Sequence, residues 1–373
     1  MMRLYARAAT IALVAGMLGS PALAAPVELN DASLGSVVAG IRFEVTGQVS
    51  DQFPLNGHPA DPNLVNAWGL SQGPGTFLWV ANNGTDTSTL YDPATFDKVP
   101  LNVNVPGGPT GTTFIGIPNA FNISGPNTPT LFAFATEAGT ILGWNLNNLT
   151  NAIVKVTEDG AIFKGLTEAM SSQGPRLYAT DFGHGVVNVY DTNYAKVGSF
   201  TDPNLPPKYT PFGVQALNGL LYVTFAKREP GAEDESHGQG LGFVDVFTPD
   251  GQLVNRLVQH GQLNAPWGLA IAPASFGKFA GALLVGNFGD GKINAYDPLS
   301  GKFIGTLRDD DNNKKIAIDG LWALHTGANG TITFSAGPDD ESHGLIGSIG
   351  PDHPGFGADE MVGMAEMARM HGH

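Results

Sequence analysis

Short apolar runs, many of them alternating with polar residues, recur along the chain between stretches rich in Gly, Asn, Asp and Pro. Runs of that length bounded by turn formers predict β-strands joined by tight connections. One phrase then repeats: an apolar segment with aromatic-Gly, a β-rich strand, a polar Gly-containing loop, and a strand ending in an aromatic residue, often followed by Asp. The first copy is Trp68-Gly69-Leu70, Leu78-Trp79-Val80-Ala81, Asn82-Asn83-Gly84 and Leu90-Tyr91-Asp92. Later copies run through Leu131–Trp144, Leu177–Asp191, Pro211–Phe247, Pro266–Asp297 and Gly320–Ile349. Their last aromatic or apolar anchors, Tyr91, Trp144, Tyr190, Phe247, Tyr296 and Ile349, are spaced by 53, 46, 57, 49 and 53 residues.

A period near 50 with four short strands per unit predicts an all-β fold, a six-bladed β-propeller. One four-stranded sheet cannot bury both faces alone, so each blade must pack on its neighbours around a channel. A β-sandwich would not explain six copies of one phrase. Closure needs one more strand, because an open sixth blade leaves an unpaired edge. The alternating segment at 42–49, ahead of the first full repeat, is expected to supply the outer strand of the sixth blade. The expected organisation is a signal peptide at 1–24, a lead at 25–41, the propeller at 42–350 and a flexible Met/His-rich tail at 351–373.

Composition adds the compartment. Arg3 and Arg7 precede an apolar run from Ala8 to Leu18, and Pro21-Ala22-Leu23-Ala24 carries small residues where a signal peptidase reads. That run is too short to span a bilayer, which takes roughly 20 apolar residues. An exported protein, periplasmic or extracellular and without a membrane anchor, is the expectation. The chain contains no cysteine, so packing and not disulfides must stabilise it. Cleavage after Ala24 would leave 17 basic against 34 acidic residues, a formal charge of −17. Such a field repels phosphate backbones, disfavours nucleic acid as a partner and favours solubility and cation capture.

In a propeller, the loops entering the innermost strands and those joining second and third strands open on one face. The entry loops bring Trp68, Phe212, Trp267 and Trp322, expected as an aromatic rim. The second-to-third loops bring Asn82, Asn83, Glu137, Asp181, His184, His237, Asn287, Asp290, Glu341 and His343. Convergent polar groups of this kind make a candidate ligand face, although Asn, Asp and Gly are also what tight hairpins demand. Asn82, Glu137, Asp181 and Asn287 offer hard oxygens that could line the channel around Ca²⁺. The sequence Asp234-Glu235-Ser236-His237-Gly238 recurs as Asp340-Glu341-Ser342-His343-Gly344. With His184 it raises a second option, a joint imidazole site for Zn²⁺ or Cu²⁺. In the tail, Met361, Met364, Met367, Met370, His371 and His373 combine soft ligands suited to copper. The plainer reading of that tail is a short amphipathic helix or a frayed end. Gly69-Leu70-Ser71-Gln72-Gly73 matches the nucleophile-elbow pattern, but that elbow needs a strand-turn-helix context, which the strand repeat denies it.

The phrases Asp61–Leu70, Leu263–Ala270, Gly286–Gly291 and Asp319–Leu324 resemble those of an uncharacterised family of exported bacterial propellers related to NHL-repeat proteins. The resemblance runs from about Val49 to Gly350 and implies a six-bladed propeller outside the cytoplasm. It carries no established activity, and the Met/His tail stands where some relatives have an anchor, which implies a free soluble protein. Three functions follow as expectations. The first is a monomeric scaffold binding a small molecule, glycan or protein on the loop face. The second is a calcium-dependent hydrolase of the lactonase type, with His184, His237 or His343 as base. The third is periplasmic copper handling through the tail.

Overall fold

The structure, a computed structural model, describes residues 42–309, 312–327 and 330–351. The N-terminal segment expected as signal peptide and lead, and the Met/His tail, lie outside the described residues. Strand β1 (Phe43–Ser50) comes first in the chain but belongs to the last blade. The first blade is β2 (Ala67–Ser71), β3 (Leu78–Asn82), β4 (Thr87–Tyr91) and β5 (Lys98–Asn104). The second is β6 (Pro109–Phe114), β7 (Phe132–Thr136), β8 (Thr140–Trp144) and β9 (Ile153–Thr157). The third is β10 (Phe163–Ser171), β11 (Gly174–Asp181), β12 (Val186–Tyr190) and β13 (Lys196–Phe200).

The fourth blade is β14 (Tyr209–Leu217), β15 (Leu220–Lys227), β16 (Phe243–Phe247) and β17 (Leu253–Gln259). The fifth is β18 (Pro266–Ile271), β19 (Leu283–Asn287), β20 (Ile293–Tyr296) and β21 (Phe303–Thr306). The sixth is β22 (Leu321–Thr326), β23 (Ile332–Ala336) and β24 (Leu345–Pro351), completed by β1. Each blade is one antiparallel four-stranded sheet, and the ring is a six-bladed β-propeller. The expected closure is present: Phe43 pairs with Pro351, Val45 with Ile349 and Ser50 with Leu345.

The repeated phrase acquires a physical reason here. In all six blades the register between first and second strands shifts at the aromatic-Gly step or its equivalent, for example between Ala67 and Leu70 and between Pro211 and Val214. This bulge turns the backbone against the next blade. A Cβ on Gly111 would sit 2.4 Å from the Leu166 amide nitrogen, and one on Gly213 would sit 2.4 Å from the Trp267 carbonyl oxygen. Only glycine lets neighbouring inner strands approach so closely. Hydroxyls on the second strands satisfy amides that the bulge releases. Thr180 Oγ1 accepts from Gly165 N–H at 2.6 Å, Thr224 Oγ1 from Gly213 at 2.8 Å, and Ser335 Oγ from Ala323 at 3.1 Å.

Apolar residues of facing sheets form one buried cluster at each blade junction, such as Trp79, Phe132, Phe134 and Trp144 between the first and second blades. The strand-terminal Asp residues cap turns. Asp92 accepts from the Ala94 and Thr95 amides, which hold its carboxyl below the usual range. Carboxylates in the connections between blades tie each connection to the blade that follows it. Asp61 takes the Tyr91 hydroxyl at 2.6 Å and the Lys98 ammonium at 2.7 Å. In the fourth blade Arg256 pairs with Asp202 and lies 3.6 Å from the wholly buried Asp245.

Replacement of Gly213 by Ala should destabilise the fold by about 1–3 kcal/mol, as overpacking does. Gly198→Ala on β13, where a Cβ meets nothing within 4 Å, should change stability by less than about 0.5 kcal/mol. Urea denaturation distinguishes the two. Burial, reinforced by the charge of Asp202, pushes the Asp245 carboxyl up to about 8. An unfolded Asp titrates near pH 4, so between those values the folded chain holds a proton the unfolded chain has lost. Stability conferred at Asp245 therefore falls as pH rises through that window and levels off above it. Denaturation curves across that range should show the decline in the native chain and its loss in Asp245→Asn.

Candidate functional site: an aromatic plug, a buried lysine and an acidic cleft

Alignment of the inner strands on the bulge glycine gives one channel residue per blade: Trp68, Thr110, Lys164, Phe212, Trp267 and Trp322. The aromatic members form no exposed rim; they are buried and fill the channel with Phe182. Trp68 stacks on Trp322 at 3.6 Å between ring centroids, and Phe212 and Trp267 stand near Trp322 at 6.0 and 5.9 Å. The expectation failed because six inner strands converge so tightly that only a small cavity of about 20 Å³ remains along the channel, and large side chains at its end interlock. Phe288, which follows β19, adds an outer layer, stacked on Trp322 at 3.9 Å and only half-buried.

Lys164 occupies the position that aromatics hold in four other blades. Its ammonium lies 4.8 Å from the Trp68 ring centroid and 5.8 Å from that of Phe182, in cation–π range. It pairs with Glu137 at 2.5 Å and Asp234 at 3.4 Å. Burial alone would lower its pKa, but Glu137, Glu235 and Asp234 together raise it, so the side chain is a permanent cation. A network spreads from there. Asn83 donates to Glu137 at 2.8 Å, Asn66 donates to Glu341 at 2.6 Å, and Trp322 Nε1 donates to Asn66 at 3.0 Å.

Two repeated loops complete the mouth. The β15–β16 connection carries Asp234, Glu235 and His237; the β23–β24 connection carries Asp340 and Glu341. In the latter, Asp339, Asp340 and Glu341 hold consecutive φ values of 56°, 52° and 64°. Three left-handed non-glycine residues in a row are strained, at roughly 1–2 kcal/mol each. The turn is held by Glu341 N–H to Gly337 and His343 N–H to Pro338, and it aims Glu341 at Asn66. Between the loops lies a cleft of about 300 Å³. Its carboxylates are Asp234, Glu235, Asp319, Asp340 and Glu341, with Phe288 and His237 also in the wall. Burial raises the Glu341 carboxyl, with a further push from Glu235. The bond to Glu235 raises the His237 imidazole.

The other expected site residues lie elsewhere. Asn82 donates to Thr87 and Thr89, and Asn287 donates to the Gln262 carbonyl and to Asp290, which also pairs with Lys292. Asp181 is wholly buried and holds His184 Nδ1 at 2.7 Å and Asn188 at 3.1 Å. Of the four residues expected to offer oxygens to Ca²⁺, Asp181 braces its own hairpin and Glu137 faces an ammonium, while Asn82 and Asn287 bond through their amide nitrogens and their buried Oδ1 atoms accept no hydrogen bond among the described residues. Among the described residues no three Asp, Glu or His side chains are arranged to hold a metal ion. The three imidazoles also part company: His343 turns to Asp51 at 2.9 Å, His184 to Asp181, and only His237 lines the cleft. Two loops with one sequence need not present the same residue, because their neighbours differ.

No family model matches the chain. Over 316 residues it is 33% identical to "Uncharacterized protein R648" of Acanthamoeba polyphaga mimivirus, covering 78% of this chain and 76% of that protein. Over 340 residues it is 32% identical to "Uncharacterized protein L690" of the same virus, covering 83% and 86%. The chain belongs to their family. Its members matched here are viral and uncharacterised, so membership brings no activity with it. Among solved structures, one titled "Streptogramin B lyase structure" superposes with a TM-score of 0.51 at 11% identity, covering 84% of this chain and 98% of that one. At that identity the likeness is one of fold.

Lys164→Met should lower stability by about 2–4 kcal/mol, less than a fully buried pair would lose because Glu137 stays about a third exposed. Adding Glu137→Gln should recover part of that loss, and urea denaturation of the cycle measures it.

Proposed function

We propose that the protein is an exported propeller scaffold, akin to the bacterial NHL-related propellers, that binds a positively charged ligand or partner in the acidic cleft. The observation that carries this reading is the convergence of five carboxylates on one cleft whose nearest buried cation, Lys164, is already paired. The net charge of −15 adds a long-range attraction for cations. Three strained residues in the Asp339–Glu341 turn support it, since such backbone persists where function holds it. The hydrolase reading required a channel cation to polarise a carbonyl, and the cation at the end of the channel is instead the buried, paired Lys164 ammonium. Copper handling rests on residues outside the described ones.

A dansyl probe with an alkylammonium tail should bind saturably, whereas its neutral and carboxylate counterparts should not. Asp234→Asn with Glu341→Gln should weaken the cationic probe by roughly tenfold or more, the loss expected for charge-assisted contacts. Acidification should weaken it as well, because protonation of His237 and Glu341 adds positive charge to the wall. Fluorescence titration at several pH values reads all three, and equal binding of the three probes would overturn the reading.

A further inference from the structure

We propose that the cleft selects an organic cation, an alkylammonium or guanidinium head group seated against Phe288 and held by Glu235 and Glu341, rather than a metal ion. This rests on the cation-binding reading and names its ligand class. The first support is that the chain already builds such a site for itself. Lys164 lies over the Trp68 and Phe182 rings and pairs with Glu137, so ammonium, π-face and carboxylate are combined within the same mouth. The adjoining cleft offers the same ingredients, and of its carboxylates only Asp234 is in an ion pair with Lys164.

The second support is Glu235. Its side chain is 3% exposed, yet its one hydrogen-bond partner among the described residues is the half-exposed imidazole of His237, at 3.2 Å. The Lys164 ammonium also acts on it, but that cation is hydrogen-bonded to Glu137 and Asp234, so Glu235 keeps acceptor capacity for a further cationic group. The third is Phe288. One face of its ring is covered by Trp322, while the His237 ring stands edge-on to it at 5.2 Å, in the place a ligand's cationic group would take. His237 thus acts as a stand-in that swings aside. Oxygen and imidazole groups sufficient for a metal ion do not meet there among the described residues, whereas a volume of about 300 Å³ accommodates a small amine.

The test uses the full chain with tetramethylammonium and butylammonium as probes, at ionic strength held constant with potassium chloride, read by tryptophan fluorescence and calorimetry. Both probes should bind, Phe288→Leu should weaken them by roughly fivefold or more, and Phe288→Tyr, which keeps the ring, should not. Glu235→Gln should weaken them by roughly tenfold, and His237→Ala should leave binding equal or tighter. Melting curves confirm that each variant is folded. If the cationic dansyl probe binds but Phe288→Leu and Phe288→Tyr are alike, or calcium displaces tetramethylammonium at equal concentration, the organic-cation inference fails while the acidic-cleft reading stands. If no cationic probe binds, both fail.

Discussion

At five glycine junctions the inner strands approach one another at backbone contact distance, and much of the molecule follows from that approach. It is made possible by a bulge in each inner strand and by glycine at the bulge in five blades, with Ala323 in the sixth. Ser335 Oγ takes the Ala323 amide and reaches the Trp68 carbonyl, so the one non-glycine junction is stitched by a hydroxyl. Because the strands converge this far, the residue beside each glycine projects into a narrow channel, in which a cavity of only about 20 Å³ remains. Aromatic rings interlock there, and a lysine in one blade must find its counter-charge at the mouth. The polar network around Lys164 is thus a consequence of closure.

The fold was legible in the sequence because it is written six times. The anchors from Tyr91 to Ile349, and the spare alternating segment ahead of the first repeat, sufficed to give blade number and closure. The site was legible only in part. The loops Asp234–Gly238 and Asp340–Gly344 stood out by repetition, and the cleft does lie between them. Trp68, Phe212, Trp267 and Trp322 were visible as a set, but whether they rim or plug a channel depends on strand separation, which composition does not encode. Asp181 serves its hairpin, as turn chemistry alone would have had it.

Lys164 shows what reasoning on composition misses. In Phe163-Lys164-Gly165-Leu166 the lysine holds the place of Trp in Trp68-Gly69-Leu70 and Trp267-Gly268-Leu269, and alignment on Gly-Leu would have found it. A charged residue in the aromatic slot of a repeat is the local inconsistency that tends to mark function. Phe288 was visible in the same way, since Asn287-Phe288-Gly289 repeats Asp181-Phe182-Gly183, but Asn66 had no comparable signal. The contacts of both are with neighbours far away in sequence: Trp322 for both, and Glu341 for Asn66.

The account turns on where a cation rests in the mouth of the ring. A crystal of the full chain soaked in trimethylselenonium, whose selenium scatters anomalously, locates it directly. The account predicts an anomalous peak between the Phe288 ring and the Glu235 and Glu341 carboxylates, with Lys164 still over Trp68 and His237 displaced. A peak at another face of the propeller, or Lys164 withdrawn from the plug, would contradict it.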